Sequence, residues 1–314
     1  MNILSLFDGI SCGRVALERA NIKVDKYFAS EIKESAIRCS QDNWKDIIQI
    51  GDITKVHYSN GELQTEKGNY MVHIDMVIGG SPCQDFSQAN IKVNGLYGSK
   101  SKLFYHYYRI LHEVKPNFYF LENVKMKPEH EAVLNSFMQR KPLKIDSQLV
   151  CGARRKRLYW TNILIPELPI NKRILLQDVL TDGYTPKEKA FCLLVSDSRP
   201  LVIPIKMFHR WYAKSFNNLV FKSKEHYEAC KNHYDRFFKG LSAKEIDNKV
   251  KNENIDISIY DGVRYLNKKE REALQTLPTN YCKILNNNGT ADVCGDSWTV
   301  DVIAHFFKFL PLED

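Results

Sequence analysis

The strongest constraint on how this chain can fold is the regular return of short apolar runs. Each is closed by glycine or an acid and separated from the next by an amphipathic stretch. Ile3-Leu4-Ser5-Leu6-Phe7 ends in Asp8-Gly9, residues 26–30 end in Glu31, and residues 47–50 end in Gly51-Asp52. Residues 74–78 end in Gly79-Gly80-Ser81, and Phe118-Tyr119-Phe120-Leu121 ends in Glu122. Alternation of this kind predicts an α/β fold with a doubly wound, mostly parallel sheet. Candidate strands cover 3–7, 26–30, 47–50, 74–78, 118–121 and 159–165. Candidate helices cover 13–20, 34–42, 102–114 and 130–140. Within 102–114, Leu103, Tyr107 and Leu111 recur at helical spacing, and Pro116 stops the helix.

The pattern changes between about 171 and 262, where Lys, Asn, His, Tyr and Phe are frequent and clean strands are few. Residues 222–251 are helical in composition and broken by Gly240. The 314 residues thus divide into a larger domain, 1–170 with 263–314, and a smaller one at 171–262. A polar helix over 268–275, a loop at Asn286-Asn287-Asn288-Gly289 and an apolar helix over 299–310 complete the chain. Net charge is +8, which leans towards a polyanionic partner. Eight scattered cysteines without a C-x-x-C read as reduced thiols of a cytoplasmic protein. No run reaches the length of a membrane span. His226, Cys230 and His233 have helical spacing but no fourth ligand in register, and read as a helix face rather than a metal site.

Chemistry concentrates at the ends of the apolar runs, where open α/β sheets hold their ligands. Phe7-Asp8-Gly9-Ile10-Ser11 links the first strand to a helix, and its glycine lets backbone approach a ligand closely. Glu31 follows about twenty residues later, where an acid grips ribose hydroxyls in nucleotide-binding sheets. Asp52 ends the third strand and suits an adenine amino group. The turn lacks G-x-x-x-x-G-K-[ST], which argues for S-adenosylmethionine rather than ATP. Pro82-Cys83-Gln84 places a thiol on a loop after the fourth run, and Glu122 places a carboxylate after the fifth. A thiol and a carboxylate at strand ends suit nucleophilic attack assisted by a proton donor. Arg154-Arg155-Lys156-Arg157 leads into the last strand and can hold a carbonyl oxygen or phosphates.

In this order the motifs resemble the DNA cytosine-5 methyltransferase family over nearly the whole chain. Phe7-Asp8-Gly9 resembles the family's cofactor turn, Pro82-Cys83-Gln84 its nucleophile loop and Glu122-Asn123-Val124 its acid motif. Arg155-Lys156-Arg157 is similar to its paired arginines. Arg264-x-Leu266 with Glu270, Leu274-Gln275, Pro278 and Tyr281 resembles the segment that braces the recognition domain. Gly295-Asp296-Ser297-Trp298-Thr299-Val300 resembles the motif that returns to the cofactor pocket. The Phe-Asp-Gly turn, Ala153 before the basic cluster and the Ser-Trp-x-Val ending are closer to the de novo branch. Departures are Ser11-Cys12 where the family often has Gly-Gly, Ala153 where it often has Gln, and Asp296 where it often has Asn.

The resemblance implies a Rossmann-like S-adenosylmethionine-dependent methyltransferase with a target-recognition domain at 171–262. It acts on cytosine flipped from double-stranded DNA. Cys83 is the expected nucleophile, Glu122 the acid at ring nitrogen 3, and Arg155 the holder of the carbonyl oxygen. Phe7, Asp8, Gly9, Ile10, Ser11, Glu31, Ile32, Asp52, Ile53, Ser81, Pro82, Leu103, Asp296, Ser297 and Trp298 are the expected cofactor contacts. Gln84, Ser87, Asn123 and Arg157 are expected at the substrate, with residues 87–102 closing over the flipped base. A cognate restriction endonuclease in a bacterial or phage-infected cell is the further partner this family allows. An RNA cytosine-5 methyltransferase and an inactive DNA-binding paralogue are the alternatives. The Cys-Phe-Thr tripeptide of the RNA branch is absent, which favours DNA.

Overall fold

The computed structural model describes residues 1–81, 102–195, 201 and 203–311. The elements in order are β1 (Asn2–Leu6), α1 (Cys12–Arg19), β2 (Lys26–Ser30), α2 (Glu34–Asn43) and β3 (Ile48–Gln49). A short meander follows: β4 (His57–Ser59), β5 (Glu62–Thr65) and β6 (Gly68–Met71). Then come β7 (Met76–Gly79), α3 (Lys102–Val114), β8 (Phe118–Val124), α4 (Pro128–Met138), β9 (Leu143–Asp146) and β10 (Lys156–Thr161). The rest is α5 (Pro204–Lys214), β11 (Leu219–Val220), α6 (Lys224–Phe237), α7 (Ala243–Glu253), β12 (Arg264–Tyr265), α8 (Lys268–Leu274), α9 (Asn287–Asp296) and α10 (Val300–Phe307).

A seven-stranded sheet has the order β3-β2-β1-β7-β8-β10-β9. β3, β2, β1, β7 and β8 are parallel, and β10 runs antiparallel to its two neighbours. This is the mostly parallel, doubly wound sheet that the alternating runs predict. Adjacent residues on a strand face opposite sides, and β8 shows both covers. Leu121 joins a buried cluster with Phe104, Tyr107 and Ile110 of α3. Phe120 packs edge-on against Phe306 and Phe307 of α10, with ring centroids 5.1 and 5.4 Å apart. A strand buried on both faces reads as a continuous apolar run, which is why 118–121 stands out in the sequence.

The residues group into two compact units: 1–147, 156–170 and 297–314, and 148–155 with 171–296. This contact grouping assigns 263–296 to the second unit, whereas the motif order assigns it to the catalytic part. The second unit has its own core, in which Phe208 and Trp211 of α5 meet Tyr234 of α6, Ile246 of α7 and Tyr260. Gly240, with φ of +83°, separates α6 from α7. His226 accepts from the Lys222 amide, His233 contacts the Tyr260 hydroxyl, and Cys230 is buried. Asn287-Asn288-Gly289, expected as loop, forms the first turn of α9. The Asn286 side chain accepts from the Gly289 amide there, as an N-cap does. No helix among the described residues is long and apolar enough to cross a membrane.

Candidate active site

Strand register aligns the candidate residues of the first unit. Leu6 lies opposite Ser30 and Gly79, and Gly79 lies opposite Leu121. The next residues along these strands, Phe7, Glu31, Gly80 and Glu122, therefore form one row at the carboxyl edge of the sheet. Chemistry-bearing side chains from four separate sequence motifs reach this row because parallel strands in register end together.

At one end of the row the backbone turns sharply. Phe7, Gly9 and Ser11 have φ of +58°, +61° and +60°, a left-handed conformation costly for the two non-glycine residues. Asp8 holds the turn. Its carboxylate accepts from the hydroxyls of Ser5 (2.6 Å), Tyr27 (2.7 Å) and Ser11. Burial pushes the Asp8 carboxyl up to about 6, against the lowering effect of these hydroxyls and with a small upward contribution from Glu31. Asp8 is thus a brace inside the turn, and the amide of Gly9 faces Glu31, donating to Oε2 at 2.8 Å. The other oxygen of Glu31 accepts from the amides of Ile32 and Lys33, both at 2.8 Å. A carboxylate has about four acceptor positions, so a fixed Glu31 retains capacity for ribose hydroxyls. Ile32 beside it is 74% exposed, an apolar surface at the sheet edge.

Asp52 accepts from the amide of Thr54 at 2.9 Å and caps the short 3-10 turn that contains Ile53. Its own amide donates to Glu66 Oε1 at 3.0 Å. Glu66 sits on the tip between β5 and β6, and was not singled out by the motifs. The signal that could have found this meander is Asn60-Gly61, which joins β4 to β5 with φ of +50° and +79°. Two consecutive positive φ values are what a tight hairpin turn requires.

At the other end of the row, Glu122 is 8% exposed and its Oε1 lies 2.7 Å from Arg157 Nε. Asn123, fully buried, donates to the Ser81 hydroxyl at 2.9 Å and accepts from the Val124 amide at 2.8 Å. This ties the end of β8 to the residue preceding Pro82. Gly80 lies between two walls: a Cβ there would stand 2.7 Å from Trp298 Nε1 and 3.2 Å from Glu122 Oε2. Trp298 is held edge-on by Phe120, with centroids 5.6 Å apart. Leu103, in the first turn of α3, packs against the buried cluster of the first unit.

Within the first unit, the structure brings Glu122, Arg157, Asn123, Ser81 and Trp298 together. Asp8, Gly9, Glu31 and Ile32 form a neighbouring group. Arg155 belongs to the second unit, where it is 5% exposed and donates to Cys192 Sγ at 3.4 Å and the Gly295 carbonyl at 3.3 Å. Ile10 is buried behind the turn, Ser297 is buried, and Asp296 is exposed at the last position of α9. Pro82, Cys83, Gln84 and Ser87, and the expected closing segment 87–102 up to Lys102, lie outside the described residues. Among the described residues no group of three or more His, Cys, Asp or Glu side chains is arranged for a metal ion.

Residues 1–140 match the family model of C-5 cytosine-specific DNA methylases. Over 122 residues the chain is 38% identical to DNA (cytosine-5)-methyltransferase DRM1A of Oryza sativa subsp. japonica, which is 37% of this chain and 25% of that protein. Over 204 residues it is 30% identical to type II methyltransferase M.NlaX of Neisseria lactamica, which is 60% of this chain and 61% of that protein. The chain therefore spans between a quarter and about three fifths of the length of these relatives. Among solved structures, the Entamoeba histolytica methyltransferase EhMeth superposes over 99% of this chain and 97% of its own, with a TM-score of 0.66 and 16% identity. That likeness shows a shared fold. The chain is thus similar to the C-5 cytosine-specific DNA methylases over its first 140 residues and shares the fold of a solved methyltransferase along its length.

Proposed function

We propose that this protein is an S-adenosylmethionine-dependent DNA (cytosine-5) methyltransferase acting through a covalent Cys83 intermediate. The observation that carries the reading is the Glu122–Arg157 pair. A carboxylate and a guanidinium 2.7 Å apart stand at the end of β8, latched through Asn123 to Ser81, directly before Pro82-Cys83. The site residues also fit the methyl donor. The strand-end row supplies a fixed acid at Glu31, the exposed face of Ile32, and at Gly80 a backbone on which Trp298 and Glu122 close so tightly that no Cβ fits. When bound, S-adenosylmethionine supplies an electrophilic methyl group.

In this mechanism cytosine leaves the stack, because carbon 6 cannot be attacked within it. The Cys83 thiolate adds to carbon 6. Glu122 donates a hydrogen bond or proton at ring nitrogen 3, drawing electrons out of the ring. Arg157 holds the carbonyl oxygen at position 2 and keeps the Glu122 carboxyl oriented. Arg155, expected in that role, is engaged with Cys192 and Gly295 and supports the second unit instead. Carbon 5 would take that methyl group, leaving the thioether S-adenosylhomocysteine, and loss of the carbon-5 proton to solvent with release of the Cys83 thiolate would restore the ring. Residues 171–262, with their Lys, Asn and Tyr side chains, read the target.

The test is expression in cells that lack cytosine methylation, followed by bisulfite sequencing. Protection of cytosine within one short context is expected for the wild type. None is expected for Cys83→Ala, which should still bind S-adenosylmethionine. Turnover in Cys83→Ala would overturn the mechanism. Methylation confined to RNA would overturn the substrate.

A further inference from the structure

Next to the Glu122–Arg157 pair the first unit carries a basic groove whose lysines the reaction does not use. It encloses about 280 Å³ and is lined by Lys125, Lys144, Ile145, Asp146, Lys156, Arg157 and Leu158. Three strands build it: β8 ends at Val124 just before Lys125, β10 begins at Lys156, and β9 ends at Asp146. Arg157 pairs with Val124 across one ladder and with Ile145 across the other, which brings Lys125, Lys156 and Asp146 to the same end of the strands. Four cationic side chains thus face one carboxylate. Lys156 lies opposite Asp146 on β9, while Lys125 just past the end of β8 has no acid in the groove's lining other than this one.

The local acids pair two of the four cations. Lys144 is paired with Glu131 at 2.8 Å, and Arg157 with Glu122 at 2.7 Å. Neither Lys125 nor Lys156 is ion-paired with any described residue, and both are exposed. Ile145 and Leu158 add apolar lining. A concave surface with cationic and apolar lining fits a phosphate with its sugar better than a bare ion.

We infer that the Lys125–Lys156 groove is the docking site for a phosphodiester of the DNA strand whose cytosine reaches Glu122. This rests on the proposed DNA methyltransferase reading and adds to it a specific backbone contact. Arg157 is common to both places: its Nε lies 2.7 Å from Glu122 Oε1, and the residue also lines the groove. A phosphate docked there fixes the distance between the strand backbone and the reacting base, which a flipped nucleotide would otherwise leave free. The contact carries no sequence information, since phosphates position a duplex and base edges specify it.

The experiment is a salt titration of duplex DNA binding, read by fluorescence anisotropy, on the full chain. Each lysine that neutralises a phosphate contributes about 0.9 to the slope of log K against log salt. The double variant Lys125→Gln/Lys156→Gln should lower that slope by about 1 to 2 and weaken binding roughly uniformly across sequences. The charge-conserving Lys125→Arg/Lys156→Arg should restore the slope. Affinity for S-adenosylmethionine and kcat at saturating DNA should be unchanged in both. An unchanged slope in the glutamine variant, with DNA still bound, would overturn the groove and leave the methyltransferase reading standing. A loss of kcat at saturating DNA without a change in slope would overturn it too, by assigning the lysines a structural role. A wild type that binds no duplex at all would overturn both readings together.

Discussion

Asp8 shows how far a single residue can be from the role its motif suggests. The turn Phe7-Asp8-Gly9 is legible as a cofactor turn because it follows a strand and opens a helix, yet the Asp8 carboxylate is spent inside the protein. It anchors Ser5, Ser11 and Tyr27 and is pushed up to about 6 by burial. A carboxyl whose folded pKa is raised favours folding fully below its unfolded value, and loses that contribution as pH rises through the folded value. Against Asp8→Asn, the stability of the wild type should therefore fall by about 2 kcal/mol between pH 4 and pH 7, at about 1.36 kcal/mol per unit. Urea unfolding of both proteins across that range checks this, and parallel curves would show that Asp8 is not strained by its burial. Gly80 makes a different point. Its Cβ space is filled by Trp298 and Glu122, so Gly80→Ala should displace the acid and lower kcat by about 10²-fold, the scale of a misplaced catalytic group. Arg155 and Arg157 could not be told apart by sequence, because both stand in one basic run. Only the start of β10 at Lys156 separates them: Arg157 is in the ladder beside β8, and Arg155 is in the loop before it.

Elements were legible in proportion to how completely they are buried. β2 and α3 match their expected spans, and β8 was found but cut short at Leu121, where its polar end Glu122-Asn123 begins. The meander β4–β6 escaped because its strands are three or four residues long and carry polar side chains on at least one face. β9, Leu143–Asp146, was missed for the same reason. The meander nevertheless serves the candidate site, since it delivers Glu66 to the amide of Asp52. That contact is exposed, and an exposed hydrogen bond contributes about 0.5–1.5 kcal/mol. Glu66→Ala should accordingly raise the Kd for S-adenosylmethionine by roughly 2–10-fold, with kcat at saturation preserved. Isothermal titration would settle the matter: an unchanged Kd would make the meander a structural insertion only.

At the scale of the whole molecule, two cores divide the work. The strand-end row belongs to the first unit, while the second unit is organised around a buried charge. Glu270 is fully buried and takes both terminal nitrogens of Arg264, at 2.9 and 2.8 Å. It also accepts from the Thr181 amide and hydroxyl, both at 3.0 Å, and from the Asn267 amide at 2.8 Å. Burial alone would raise the carboxyl of Glu270, but the hydrogen bonds from Arg264, Asn267 and Thr181 outweigh it and hold the group below its usual range. One side chain thus fixes β12, the start of α8 and the loop at Thr181, so the resemblance of Arg264 and Glu270 to a bracing motif has a physical basis. Breaking one partner of a buried pair costs about 3–5 kcal/mol. Glu270→Ala should fall near the lower limit, because Arg264 keeps Asp182 at 2.7 Å and is 29% exposed. The loss should be local to the second unit. Hydrogen exchange should accelerate in α5 and α6, whose core surrounds Phe208 and Tyr234, while β1, β2 and β7 retain their protection. S-adenosylmethionine binding should persist, since Phe7, Glu31 and Trp298 belong to the first unit. Uniform acceleration through both units would instead mean that the two cores unfold as one, and that the strand-end row depends on the brace for its own stability.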